Sequence, residues 1–246
     1  MRTRSRAVKA LTLTALPLAL ALTACGSGSS GSADAAAKPH ASAPASKDPN
    51  AGLLTGTQLK KVLAPASLFP AGFAPVPQGA SDSGGRFVTP SDASTAKPDC
   101  TKLETTAWMT VTGGTGGASF ANDDYVDKGK TAEIAQEVDE FPGATAAAAM
   151  KDVRAVTATC PTFTDTDAHA TVKVSGRSTP GLGDEAYTIT LTSGAWDNGT
   201  TLVAAREGTA VATVMSTAGS DNGAATAEKI ARRIVESLKK TAKNPA

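Results

Sequence analysis

Large rings are scarce in this chain: aromatic residues make up 4% of 246, with two tryptophans, two tyrosines and six phenylalanines. A core must therefore be assembled mainly from Ala, Val, Leu and Ile, with Trp108, Trp196, Phe120, Phe141, Phe163 and Tyr187 as the few large fillers. Cysteine and histidine are equally sparse, at three and two. No apolar run reaches the roughly 20 residues that a bilayer-spanning helix needs. Neither sign of charge dominates, with 24 Lys plus Arg against 23 Asp plus Glu. A partner as anionic as nucleic acid thus finds no electrostatic footprint.

What is present begins with a leader. "MRTRSRAVK" carries Arg2, Arg4, Arg6 and Lys9 with no acid, and an apolar stretch follows from Ala10 to Ala24. This is the charged and hydrophobic pair of regions of a secretory signal, without a twin arginine. The stretch ends at Leu22, Thr23, Ala24 and Cys25, an apolar residue and two small ones before a cysteine, which is similar to a bacterial lipobox. Residues 1–24 are accordingly expected to be a lipoprotein signal peptide, and the Cys25 thiol the point of lipid attachment. Two buried acyl chains hold a protein stably where one holds it marginally, at about 0.8 kcal/mol per methylene. An ordinary secretory signal with an incidental cysteine is the alternative. Removing the leader's four basic residues leaves 20 against 23 acidic, a net charge near −3.

Residues 25–50 are rich in Gly, Ser, Ala and Pro and hold no aromatic or β-branched residue, so they cannot bury enough apolar surface to offset ordering entropy. They read as a disordered tether with a mean reach of roughly 30 Å, and His40 lies within it. The remainder, 51–246, has the length of one domain.

A short helix is expected over Thr57–Ala64, where Leu59, Val62 and Leu63 share a face, and a second from an Asp99 cap to Ala107, carrying Cys100 and Leu103. Between them Pro65, Pro70, Pro75 and Pro77 read as a long surface loop. "ASFANDDYV" and "KTAEIAQEVDEF" read as two strands of a hairpin around "DKGK". Thr145 is positioned to cap a helix whose buried stripe is Ala149, Val153, Val156 and Cys160, with Pro161 as its stop. Four β-rich runs follow, "HATVKVSGR", "AYTITLTSG", "TTLVAARE" and "TAVATVMST", the last three as a meander. An amphipathic C-terminal helix turns Ile230, Ile234, Val235 and Leu238 inward. The fold class is α+β: a twisted, mainly antiparallel sheet of about six strands packed with helices.

With Cys25 lipidated, Cys100 and Cys160 allow a single pairing, and an exported setting permits it to oxidise. Two buried free thiols, or a metal pair lacking two of the ligands zinc requires, are the alternatives. Other chemistry is thin. His169 shares strand parity with Thr171 and Lys173, which makes it a solvent-facing strand residue rather than a catalytic base. "GGTGG" at 113–117 lacks the Lys-Ser/Thr ending of a phosphate loop and precedes a strand, so it reads as a flexible loop. Asp123, Asp124 and Asp127 carry calcium-type oxygens at a spacing that fits no EF-hand loop. "GLGDE" at 181–185 is a turn needing positive φ, with a ligand role as its competitor. Asn198 begins a hairpin turn, and the basic residues Lys229, Arg232, Arg233, Lys239 and Lys240 form the wet face of the last helix. No cofactor and no metal site is expected, and no catalytic residue is assigned.

Lipobox, tether, a cysteine on a short helix before a hairpin, an Ala-rich helix ending in "TCPTF", then "GLGDEAYTI" and a C-terminal helix together form a pattern. It resembles the actinobacterial sensor-domain lipoproteins related to the extracellular domain of the PknH receptor kinase, over about 55–240. The resemblance implies a twisted antiparallel sheet packed with helices around a cleft that takes an unidentified ligand. The family domain carries two disulfides, and this chain has cysteines for one. The expectation is therefore a cell-membrane lipoprotein on the outer face, held by its lipid and binding an unidentified envelope small molecule or protein without turning it over. A cell-wall enzyme and a lipid carrier with an apolar cavity are the competing classes.

Overall fold

A computed structural model describes residues 48–89, 97–106 and 111–243. The signal, Cys25, His40, Ala107 and Trp108 lie outside the described residues. In chain order the elements are α1 (Gly56–Lys60), β1 (Phe73–Pro75), β2 (Ser81–Asp82), β3 (Ser119–Asp127), β4 (Glu133–Glu140), α2 (Thr145–Thr159), β5 (Thr162–Asp165), β6 (Ala170–Ser178), β7 (Glu185–Thr192), β8 (Thr200–Glu207), β9 (Ala210–Ser216) and α3 (Ala224–Lys243). A 3-10 turn over Cys100–Glu104 stands where the second helix was expected, with Asp99 accepting from the Thr101 amide as its cap.

All strands pair antiparallel in one sheet, ordered β1, β3, β4, β9, β8, β7, β6, β5, with β2 also on β3. The expectation of about six strands is corrected to nine among the described residues. The three additions are short pieces that periodicity over a few residues does not reveal: β1 and β2 on the proline-rich stretch, and β5 after Pro161. From β5 to β9 the chain runs as a continuous meander. The β3–β4 hairpin joins it through β4 on β9, in register from Ile134 opposite Ser216 to Glu140 opposite Ala210. α2 carries the chain from that hairpin to the far edge of the sheet.

Two apolar layers sandwich the central strands, which is why β8 and β9 read as almost continuous apolar runs rather than alternating ones. On one face α3 buries Ala227, Ile230, Ala231, Ile234, Val235 and Leu238 against Val138, Val203, Ala205, Ala212 and Val214, joined by Leu59 and Val62. Each of its large aliphatic side chains contributes roughly 1.5–3 kcal/mol by leaving water. On the other face α2 buries Ala146, Ala149, Met150, Val153 and Val156 against Ile189, Leu191, Leu202, Ala204, Val211 and Met215. Thr145 is the first residue of that helix rather than its cap; Ala144 precedes it without a side-chain bond. Gln136, which alternates with Ile134 and Val138, is fully buried and satisfied: it accepts from the Ala64 amide at 2.9 Å and donates to the Ala64 carbonyl at 3.0 Å and to Asp123 at 2.7 Å. That ring of bonds ties the segment after α1 onto the sheet.

Candidate functional site

The structure disperses most of the residues that the sequence singles out. Cys100 and Cys160 form a disulfide with Cα atoms 5.7 Å apart, joining the 3-10 turn to the end of α2. His169 is exposed in the turn between β5 and β6 with φ 50°, which corrects its placement on a strand. Chain alternation separates the aspartates. Asp123 points to the α3 side, where Gln136 and Tyr125 donate to it. Asp124 points to the other side, and Asp127 closes the β3–β4 turn by accepting from Gly129, Thr131 and Ala132 amides. No calcium cage results from that arrangement, and no three His, Cys, Asp or Glu side chains converge on a metal position among the described residues.

"GLGDE" proves to be a latch. Gly183 has φ 65°, and a Cβ there would collide with the Arg206 carbonyl. Asp184 accepts from the Gly208 amide at 2.9 Å and from Arg206 at 3.0 Å, while Glu185 accepts from Arg206 Nε at 2.7 Å and pairs with Arg154 of α2. Burial opposes ionisation of Glu185, yet the Arg206 and Arg154 guanidiniums hold its carboxyl below the usual range. The motif thus binds β7 to β8 and α2. On α3, Arg232 pairs with Glu228 at 2.8 Å, Lys239 meets Glu207 at 3.5 Å and Lys229 donates to the Leu68 carbonyl at 3.2 Å. Leu68, Glu228, Lys229 and Arg232, with Ala225, Arg233 and Glu236, line an open groove of about 510 Å³ along the helix. A slot of about 60 Å³ lies against the outer side of α2.

A set of residues that the sequence reading did not bring together stands together instead. On the α2 side of the sheet, but on its β3–β4 end, alternation presents Asp124 from β3 and Glu137 and Asp139 from β4. Asn122 lies directly opposite Glu137, and Phe120 opposite Asp139. All three carboxylates are half-buried. Glu137 accepts one hydrogen bond, from the Thr106 hydroxyl at 2.8 Å. Burial pushes the Asp124 carboxyl up to about 7, helped by the charges of Glu133, Asp123 and Glu137. Burial raises Glu137 and, further, Asp139, on which Glu137 also acts. Among the described residues no basic group is among the charges acting on these three. Next in line, Thr213 of β9 lies opposite Glu137 and is 5% exposed, with an Oγ1 that has no hydrogen-bond partner. Glu137 and Asp139 at alternate positions, and Asp124 on another strand, read in the sequence only as ordinary strand polarity, because adjacency of β4 to both β3 and β9 is a tertiary fact.

The architecture is that of a single antiparallel sheet with α2 packed on one face and α3, beside α1, on the other, an α+β domain with a polar end. In fold it is similar to the extracellular domain of PknH from Mycobacterium tuberculosis, with a TM-score of 0.57 and 19% identity, covering 76% of this chain and 97% of that one. No protein-family model and no curated protein sequence matches the chain.

Proposed function

We propose that this protein is an extracytoplasmic, sensor-like domain that binds a ligand or partner without catalysis and is moored to the outer face of the cell membrane by a lipid on Cys25. The observation that supports the reading is the likeness in fold to a domain that is extracellular in its own protein. The leader, lipobox and low-complexity tether agree with that location, and no helix among the described residues is long and apolar enough to cross a membrane. A tether of about 25 residues confines the domain to a shell near the bilayer, which raises its effective concentration toward envelope partners.

The groove and slot described above favour recognition over the competing classes. A lipid carrier needs an enclosed apolar cavity for its acyl chains, and the 510 Å³ groove is open and rimmed by charged side chains. A hydrolase of wall glycans needs a carboxyl pair across a cleft, and neither cavity lies at Asp124, Glu137 or Asp139. The test is fractionation with intact-mass analysis. A diacylated mature chain beginning at Cys25, and its release from membranes by Cys25→Ser, is the expected result. An unmodified chain found free in the culture fluid overturns the mooring.

A further inference from the structure

The carboxylate end of the sheet has a chemistry that the binding role leaves unspecified. The Asp124 and Asp139 carboxylates accept no hydrogen bond from and form no ion pair with any described residue, and the Glu137 carboxylate accepts its bond from a neutral hydroxyl. Half-buried acids are ordinarily paired, because desolvation without a partner costs several kcal/mol per ion. Side chains two positions apart on one strand, or diagonal across a strand pair, stand about 7 Å apart. Asp139 to Glu137 is the first relation and Glu137 to Asp124 the second. The row does not converge on a point, and among the described residues no three His, Cys, Asp or Glu side chains could hold one metal ion together. A flexible cation with charges spaced along its length matches it.

The Thr213 hydroxyl supplies an independent sign. It is buried beside Glu137 on the neighbouring strand, on the same face as the carboxylates, and it is unpartnered. An orphaned buried hydroxyl costs on the order of 1–3 kcal/mol, and no described residue supplies the donor or acceptor that would remove that cost. An ammonium group offers three donors, enough to bridge the Thr213 oxygen and the Glu137 carboxylate together.

We infer that the face formed by Asp124, Glu137, Asp139 and Thr213 is a binding site for an organic cation carrying two or more ammonium groups spaced about 7 Å apart. This rests on the reading of the domain as a binder and names the class of ligand. A free polyamine and the lysine side chains of a basic peptide present the same ammonium chemistry, so both serve as probes.

Isothermal titration of the purified protein with spermidine, with tetralysine and with Mg²⁺, at matched ionic strength, is the test. Saturable binding of either amine, tighter than that of Mg²⁺, is expected. Asp124→Asn and Asp139→Asn are each expected to weaken it about tenfold. Thr213→Val, which keeps the side-chain shape and removes the orphaned hydroxyl, is expected to weaken it severalfold, a change that diffuse surface charge would not produce. Thermal melting of each variant checks folding, and neutralising a repelling carboxylate leaves the fold at least as stable. Binding of spermidine alone identifies a free amine as the source, and binding of tetralysine alone identifies a peptide. Equal binding of Mg²⁺ and amines, absence of amine binding, or indifference to all three substitutions overturns the inference. A neutral or anionic molecule recovered with the native protein would leave the binding role standing and sink this assignment.

Discussion

Replacing Cys100 by serine and Cys160 by alanine in one chain removes the only covalent link between the 3-10 turn and α2. The two cysteines are 60 residues apart. In the chain-entropy model a loop of that size, left unclosed in the unfolded ensemble, gains roughly 4 kcal/mol relative to the cross-linked chain. Cys160 is fully buried beside Val156, and alanine there deletes one sulfur without adding a polar atom. Cys100 is half-buried, and serine keeps its size. For a domain of this length each kcal/mol moves the melting temperature by roughly 2–4 °C, so the expected fall is about 8–16 °C. Scanning calorimetry of the oxidised protein, of the reduced protein with blocked thiols and of the double variant measures it. The reduced and double-variant forms are expected to melt together. A fall below about 3 °C in both would refute the argument, since a 60-residue loop would then be held closed in the unfolded state by something other than the bridge.

Asp124→Asn tests the electrostatics of the acidic end. Its carboxyl lies at about 7 in the fold against an ordinary 3.8, so its favourable contribution is complete below about pH 4 and is lost as pH rises toward 7. The rise corresponds to ~4 kcal/mol at ~1.4 per pH unit, and solvent at a half-exposed side chain reduces this to about 1–2 kcal/mol. Urea unfolding should therefore show the variant equal to the parent at pH 4 and more stable above pH 7; equal stability at both pH values refutes it. Gln136→Ala leaves the Ala64 amide and carbonyl unpaired in the interior, and a loss of about 2–4 kcal/mol is expected by denaturant titration. Gly183→Ala, at φ 65° and against the Arg206 carbonyl, is expected to cost more than 2 kcal/mol. Gly181→Ala, at φ 75° in open space, should cost only about 1 kcal/mol in the same assay. Equal losses would show that the close approach at Gly183 is immaterial.

Several elements were legible because their causes are local. α3 carries its buried stripe at helical spacing, and α2 is an Ala-rich run ended by Pro161. β3 and β4 alternate around an Asp127 turn whose side chain organises the amides that follow it. The cysteine pair could be foreseen once Cys25 was set apart, because only one pairing remained. β1, β2 and β5 were not legible, since strands of two to four residues acquire their identity from the neighbour they pair with. The 3-10 turn at Cys100 fell short of the expected helix for a related reason: it is held by its disulfide and its contact with β5, not by propagation along a helix. His169 was misplaced on a strand, whereas the positive-φ turn expected at "GLGDE" is present. Side-chain chemistry drew attention to them, and backbone geometry, a left-handed turn in one case and a hairpin latch in the other, accounts for their positions.

By itself, then, the chain's pattern of apolar and polar residues determined the helices, the long strands and their inward faces, since each depends on neighbours a few positions away. The leader and tether remain expectations read from the same kind of local pattern. Only the tertiary structure decided that β4 lies between β3 and β9, and this brings Asp124, Glu137, Asp139 and Thr213 onto one surface. Alternation tells a strand which residues share a side, but the identity of the strand next door is settled by how the whole sheet closes over its two apolar layers.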